Sequence, residues 1–224
     1  MSQPIRAPFI ALALLAAATL PLHGGDGAWS LQVGAAQPSG GLKAWMGTTT
    51  GIAVDLVDSF ALGQRDTVRM RFGFQTFKAN GSTPETIQLP NGAGTVTAAT
   101  AATAEAYTFS YGADYVYAPT SRFYVLAGVG VAYVTATRKG TFDLGASGVA
   151  RTNYSANNFV PAFCAGLGFQ ATKAVALELR WQSTTLKEQQ RPIDLNTAGI
   201  ASPGQVQFAK QTVTSLSLGV SIAF

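Results

Sequence analysis

The sequence predicts an all-β fold: an eight-stranded antiparallel up-and-down β-barrel that spans a membrane. Three observations carry this. Segments in which apolar residues alternate with small or polar ones recur along the chain. The connections between them alternate long and short. Charged residues make up only 12% of the chain and hydrophobic ones 47%. A soluble domain carries about 25% charged residues, so a chain this poor in charge and rich in Gly, Phe and Tyr suits a β protein that turns apolar side chains toward lipid.

The elements follow in order, each read from side chains that point to opposite faces at alternate positions. Trp29, Leu31, Val33 and Ala35 share one face of the first strand, and Ile52, Val54, Leu56, Phe60 and Leu62 one face of the second. After the short turn 63–66, Val68, Met70, Phe72 and Phe74 oppose Arg69, Arg71, Gly73 and Gln75. The fourth strand sets Tyr107, Phe109, Tyr111, Ala113, Tyr115 and Tyr117 against Thr108, Ser110, Gly112, Asp114 and Val116. The fifth groups Phe123, Val125, Ala127, Val129, Val131 and Tyr133, and the sixth Phe163, Ala165, Leu167 and Phe169. In the seventh, Val175, Leu177, Leu179 and Trp181 oppose Ala176, Glu178, Arg180 and Gln182. The last strand places Leu216, Leu218, Val220, Ile222 and Phe224 on one face and Ser215, Ser217, Gly219, Ser221 and Ala223 on the other.

Long connections are expected at about 38–50, 79–102, 138–157 and 186–208, with short turns between. This is the asymmetry of a membrane barrel with short periplasmic turns and longer extracellular loops. Closure pairs the last strand with the first, near Trp29, and removes every edge. Ahead of the barrel, residues 1–28 read as a secretory signal peptide. Arg6 supplies the positive start, 7–22 the apolar stretch, and cleavage is expected between 22 and 28. The barrel then occupies 29–224. No other apolar run reaches the roughly 18 residues of a membrane helix.

The formal charge is +4, and no basic run is longer than Arg138-Lys139, which argues against a nucleic-acid partner. Cys164 is the single cysteine, so no internal disulfide forms. His23, the single histidine, leaves with the signal. No catalytic residue, cofactor or metal site is therefore expected, because a hydrolytic nucleophile needs a base to activate it. The glycine pairs 128/130 and 166/168 lie inside alternating strands, not at a helix start, so they make room in the lumen rather than bind phosphate.

By parity, Arg69, Arg71, Asp114, Glu178, Arg180 and Asp55 face the lumen, where buried charges must pair. They are expected to form a salt-bridge network that fills a barrel too narrow for more than side chains, with gating of small solutes as the functional alternative. The inner face is otherwise read as polar and small, and Cys164 as a small packing residue there. Asp58 has the opposite parity, which points it at lipid unless it lies near the periplasmic interface or beside a bulge. Trp29, Phe60, Tyr117 and Phe123, with Phe224, are expected in a periplasmic aromatic girdle, and Tyr107 and Tyr133 in an outer one. Phe77 lies at the outer level but has lumen parity. Lys78, Arg138, Lys139, Arg151, Lys187, Arg191 and Lys210 fall in loops or at outer strand ends, where they either meet lipopolysaccharide phosphates or form a solvated surface.

As a pattern over 29–224, the chain resembles the small eight-stranded outer-membrane barrels, the OmpA transmembrane domain and the OmpX and Ail type. The most specific part of the likeness is Leu216, Leu218, Val220, Ile222 and Phe224. In that family an alternating last strand with a terminal Phe is what the barrel-assembly machinery recognises, so the resemblance implies that role here. It also implies a bacterial outer-membrane location, with outer-membrane lipids and lipopolysaccharide as partners and a host or surface ligand at the loops. The expected function is structural or surface interaction through the loops. A narrow pore for small solutes is the alternative. A lipid A-modifying enzyme is a weaker one, since such barrels rely on a histidine that this chain lacks after cleavage.

Overall fold

The computed structural model describes residues 27–39, 43, 46, 49–89, 94–143, 149–193, 204–208 and 211–224. The expected signal segment up to residue 26 lies outside the described residues. Ten strands follow in chain order: β1 (Gly27–Ser39), β2 (Gly51–Ala61), β3 (Asp66–Gln88), β4 (Thr95–Tyr117), β5 (Phe123–Asp143), β6 (Val149–Gln170), β7 (Val175–Leu186), β8 (Gln189–Ile193), β9 (Gly204–Phe208) and β10 (Gln211–Ala223). The sheet runs β2-β1-β10-β7-β6-β5-β4-β3, and β3 pairs back with β2. Eight strands, β1 to β7 and β10, therefore close into an antiparallel barrel. The closing seam is β1 against β10, from Ser30↔Ala223 to Ser39↔Thr214.

The sides sort as the alternation dictates. Outward side chains stay exposed in mid-strand, with Val129 at 62%, Leu218 at 59% and Phe163 at 55%, whereas inward Asp114 and Arg180 are at 1% and 0%. A soluble barrel puts its apolar side chains inside; this one shows them outward as a belt, which is what a barrel presents to hydrocarbon. The three periplasmic turns are short. Two are fixed by a threonine hydroxyl that accepts from the next strand: Phe123 N to Thr120 Oγ1 at 3.0 Å and Val175 N to Thr172 Oγ1 at 3.1 Å. The other, after β2, closes with Leu62 N donating to Asp66 O at 2.8 Å.

The wall is uneven. β1, β2, β7 and β10 have 11 to 13 residues, about one crossing at barrel tilt. β3, β4, β5 and β6 have 21 to 23, so on one half of the barrel the paired strands continue well beyond the belt. This corrects the loop reading of 79–102 and 138–157. Residues 79–88 and 95–102 continue β3 and β4 in unbroken register up to Gln88↔Thr95, and β5 and β6 stay paired to Asp143↔Val149. Alternation in the sequence stops where lipid stops, but backbone pairing does not need an apolar face and carries on. The stretch 186–208 likewise holds the β8–β9 hairpin, and 38–39 belong to β1.

Asp58 points outward, opposite Trp29 on β1 and Met70 on β3. Both ladders run without interruption there, so no bulge accommodates it. It sits near the periplasmic end of β2, where a charge costs least. The belt makes a direct prediction. Val129→Arg, at mid-strand, should lower stability by about 2–4 kcal/mol in phospholipid vesicles, while Thr137→Arg, outward on the same strand but above the belt, should cost about 0–1 kcal/mol. Urea unfolding of both variants measures the difference.

Candidate functional site

Each charged residue expected in the lumen is placed by a strand, and each except Arg69 is given room by a glycine across the ladder. Asp55 lies opposite Gly73, Arg71 opposite Gly112, Asp114 opposite Gly128, and Arg180 opposite Gly166. Glu178 has Gly168 on one side and Gly219 on the other. These glycines are required by space. A Cβ on Gly73 would stand 2.2 Å from Asp55 Oδ1, one on Gly128 2.1 Å from Asp114 Oδ1, and one on Gly168 1.8 Å from Tyr124 Cζ.

All six charges meet in one network. Arg180 is its hub: Nη1 donates to Asp114 Oδ2 at 2.8 Å, Nη2 to Glu178 Oε1 at 2.7 Å and Nε to the same oxygen at 3.0 Å. Arg69 Nη1 donates to Glu178 Oε2 at 2.8 Å. Arg71 joins the far side more loosely, 3.5 Å from Asp55 Oδ1 and 3.5 Å through Nε from Asp114 Oδ2, the latter an ion pair without hydrogen-bond geometry. Three arginines face three carboxylates, so the layer is neutral in sum. Apart from half-buried Arg69 its charges are almost fully dry, and in so dry a place the pairing has to be nearly complete.

Three further side chains complete it. Tyr124 donates its hydroxyl to Glu178 Oε2 at 2.9 Å and lies under the Arg69 guanidinium, 4.7 Å from ring centroid to Cζ. Ser110 accepts from Arg71 Nη1 at 3.0 Å. Cys164 donates to Asp114 Oδ1 at 3.1 Å and accepts from Arg180 Nη1 at 3.6 Å, so it is a polar member of the layer as well as a small residue. The inward parity of Tyr124 is visible in the sequence. Its partnership with Glu178 is not, because the ring reaches across β6 over Gly168.

Apolar layers lie on both sides of the charges. Toward the periplasm, Val116, Tyr124, Leu126 and Ala176 pack together. Toward the outer mouth the lumen is filled by Phe77, Met46, Leu186, Val134, Val160 and Val213 among inward alanines. This corrects the expectation of a polar and small interior. The alanines are small, but Phe77 from β3, Leu186 from the end of β7 and Met46 from the β1–β2 connection fill the space they leave. Arg138 is a second correction: it belongs to β5, points inward and is 2% exposed, rather than lying on a loop surface.

The remaining residues expected to act lie on the outer face. Leu216, Leu218, Val220, Ile222 and Phe224 are all exposed there, and Phe224 N donates to Trp29 O at 3.0 Å across the seam. Phe60, Tyr117 and Phe123 are exposed near the periplasmic ends of their strands, and Trp29 is half-buried at the same end of β1. Phe123 packs on Phe169 with ring centroids 5.1 Å apart. On the outer side Tyr133 packs on Phe159 at 4.9 Å and Tyr107 on Phe109 at 5.9 Å. Of the cations expected in loops or at outer strand ends, Lys78 lies on β3, exposed, and pairs with Glu105 at 3.6 Å.

No protein-family model matches the sequence, and no curated protein matches it. Solved structures do. OprG from Pseudomonas aeruginosa is 12% identical over 88% of this chain and 96% of its own, with a TM-score of 0.54. A major outer membrane protein from Thermus thermophilus is 14% identical over 89% of this chain and all of its own, with a TM-score of 0.53. The attachment invasion locus protein Ail of Yersinia pestis, solved with the heparin analogue sucrose octasulfate, is 13% identical over 89% and 100%, at 0.49. At such identities the first two establish likeness of fold: the chain has the fold of the small outer-membrane β-barrels. Its outward belt is the face that such a barrel turns to the lipid of an outer membrane.

Arg180→Met should cost about 3–5 kcal/mol, because it leaves Asp114 and Glu178 buried without their shared cation. Lys78→Met, at the exposed pair, should cost no more than about 1 kcal/mol. Equilibrium unfolding in urea with the protein in detergent micelles distinguishes the two.

Proposed function

We propose that this protein works in a bacterial outer membrane as a structural, surface-interacting barrel whose outward segments make the contacts, and that it is neither a pore nor an enzyme. The observation that supports this most is the filled lumen. A dry ionic layer lies between two apolar layers, and none of them resembles a water-filled path. The tall wall formed by β3 to β6 supports the surface role. Above the belt its outer face carries Lys78, Glu105, Asn80, Thr103, Thr137, Lys139, Ser155 and Asn157, at the level where lipopolysaccharide headgroups and an external ligand meet a barrel. The non-enzymatic reading rests on chemistry. Residues 27–224 contain no histidine, and the one thiol is buried, its only carboxylate neighbour among the described residues, Asp114, being held by Arg180 in the ionic layer.

Two measurements on one preparation test this. In planar bilayers the protein should pass no steady ion current. Discrete conductance steps that change in Arg71→Ala or Glu178→Ala would replace this reading with the narrow-pore one. In cells, a shortened variant joins Asn80 to Thr103, which face each other across the ladder, through an Asn-Gly turn. It should still give the heat-shifted gel band of a folded barrel. It should lose adhesion to epithelial monolayers or resistance of the envelope to detergent. Unchanged adhesion and unchanged resistance together would remove the surface role.

The outward row of β10 is proposed to guide assembly. Phe224→Ser should reduce the heat-shifted fraction in cell envelopes several-fold while leaving the yield from refolding in detergent unchanged. An equal loss in both would make Phe224 a stability residue only.

A further inference from the structure

Three barrel strands in either direction separate β3 from β7, since the ring reads β3-β2-β1-β10-β7 one way and β3-β4-β5-β6-β7 the other. The β3–β4 hairpin and the β7–β10 connection thus rise from opposite walls. That connection carries the β8–β9 hairpin, paired from Gln189↔Phe208 to Ile193↔Gly204. Its base is tied to the tall wall, where Gln189 Nε2 donates to Asn157 O at 2.9 Å. Its second strand reaches the tip of β3 and pairs there, Ile87↔Val206 and Gln88↔Gln205. The next residue, Leu89, packs on the inner apolar cluster that contains Met46, Phe77 and Leu186. Two hairpins from opposite walls therefore meet above the outer mouth, and the mouth beneath them is apolar.

The joint between them is slight. Among the described residues it is two residue pairs, whereas β3 and β4 are laddered along their whole length. Backbone hydrogen bonds in contact with water contribute little net stability, because water replaces them when they break, so a joint of this size opens within the range of local fluctuations while the barrel stays folded. Gln205 is exposed at the joint and Gln88 half-buried, so the contact adds no sealed core of its own. We propose that the β3–β9 joint is a latch over the outer mouth, and that its release presents the apolar cluster around Met46, Phe77 and Leu186 to the outside. The ionic layer below remains closed in either state. The device therefore controls access to the mouth and not passage through the barrel.

The double variant Gln88→Cys/Gln205→Cys tests this in the full chain. Facing residues of an antiparallel pair have Cβ atoms about 5 Å apart, which a small shift of this exposed joint brings to disulfide distance, and buried Cys164 sets the background. The cystine form is compared with the form reduced and capped with N-ethylmaleimide, which props the joint open. The readout is hydrogen peroxide oxidation of Met46 to its sulfoxide, followed by mass spectrometry. Met70, outward on β3 in the belt, is the internal reference. The disulfide is expected to form in air, and Met46 is expected to oxidise about tenfold faster in the capped form. Failure of the disulfide to form in a heat-shifted, folded barrel would overturn the latch, as would equal Met46 oxidation in the two forms. If the double variant does not fold, Gln205→Pro, which places a proline in a strand paired on both edges, takes its place. Met46 must then oxidise faster than in the parent chain, and an unchanged rate counts against the latch.

Discussion

In hydrocarbon an unpaired backbone amide or carbonyl costs several kcal/mol, and no water is at hand to relieve it. That constraint fixes the shape of this molecule. A strand that faces lipid must be paired on both edges, so a sheet of such strands has to close. Here closure falls on β1 and β10, whose ladder runs from Ser30↔Ala223 to Ser39↔Thr214 and ends with Phe224 N bonded to Trp29 O. Apolar residues on the outward positions of β10 then follow from the same requirement, because a paired strand still shows one face to lipid.

Closing with eight strands leaves an interior wide enough for side chains only, and what fills it decides what the barrel can do. The filling is layered. The charged layer is costly to bury and is held by complementarity: Arg180 between Asp114 and Glu178, with Arg69 and Arg71 at the flanks. Each of these charges except Arg69 stands opposite a glycine, so backbone gives way where a long side chain must fold over it. The layer toward the mouth uses the opposite solution, many alanines with a few large apolar side chains among them. Both arrangements exclude water, one by pairing polar atoms and the other by packing.

The parts of the fold that lipid governs were legible in the sequence. Alternation places the belt portions of all eight barrel strands, and parity alone assigns Asp55, Arg69, Arg71, Asp114, Glu178 and Arg180 to the interior. Their partners needed the register. Tyr124 has the right parity, but only the gap at Gly168 lets it reach Glu178 two strands away. Nor was the height of the wall legible. Thr95-Val96-Thr97-Ala98-Ala99-Thr100-Ala101-Ala102 carries little contrast between its two faces, because neither faces lipid, yet its backbone stays laddered to β3. Met46 gave no signal, since a residue that fills the mouth from a connection obeys no period. Arg138 was misplaced because a basic dipeptide beyond the belt reads as surface, and in the structure the strand simply continues inward-outward through it.

The seam has a consequence for how the chain is assembled. Every barrel pairing except one joins strands that follow each other along the chain, if β8 and β9 are counted as part of one connection. Those pairings are local and can form progressively, each edge awaiting the strand that comes next. The pairing of β1 with β10 is different in kind, because it brings the two ends of the barrel sequence together and has no local substitute. Until it forms, two edges stay open to hydrocarbon. Commitment to the membrane-embedded state is therefore concentrated at the terminal strand, and a defect there leaves an otherwise correct sheet with nowhere to finish.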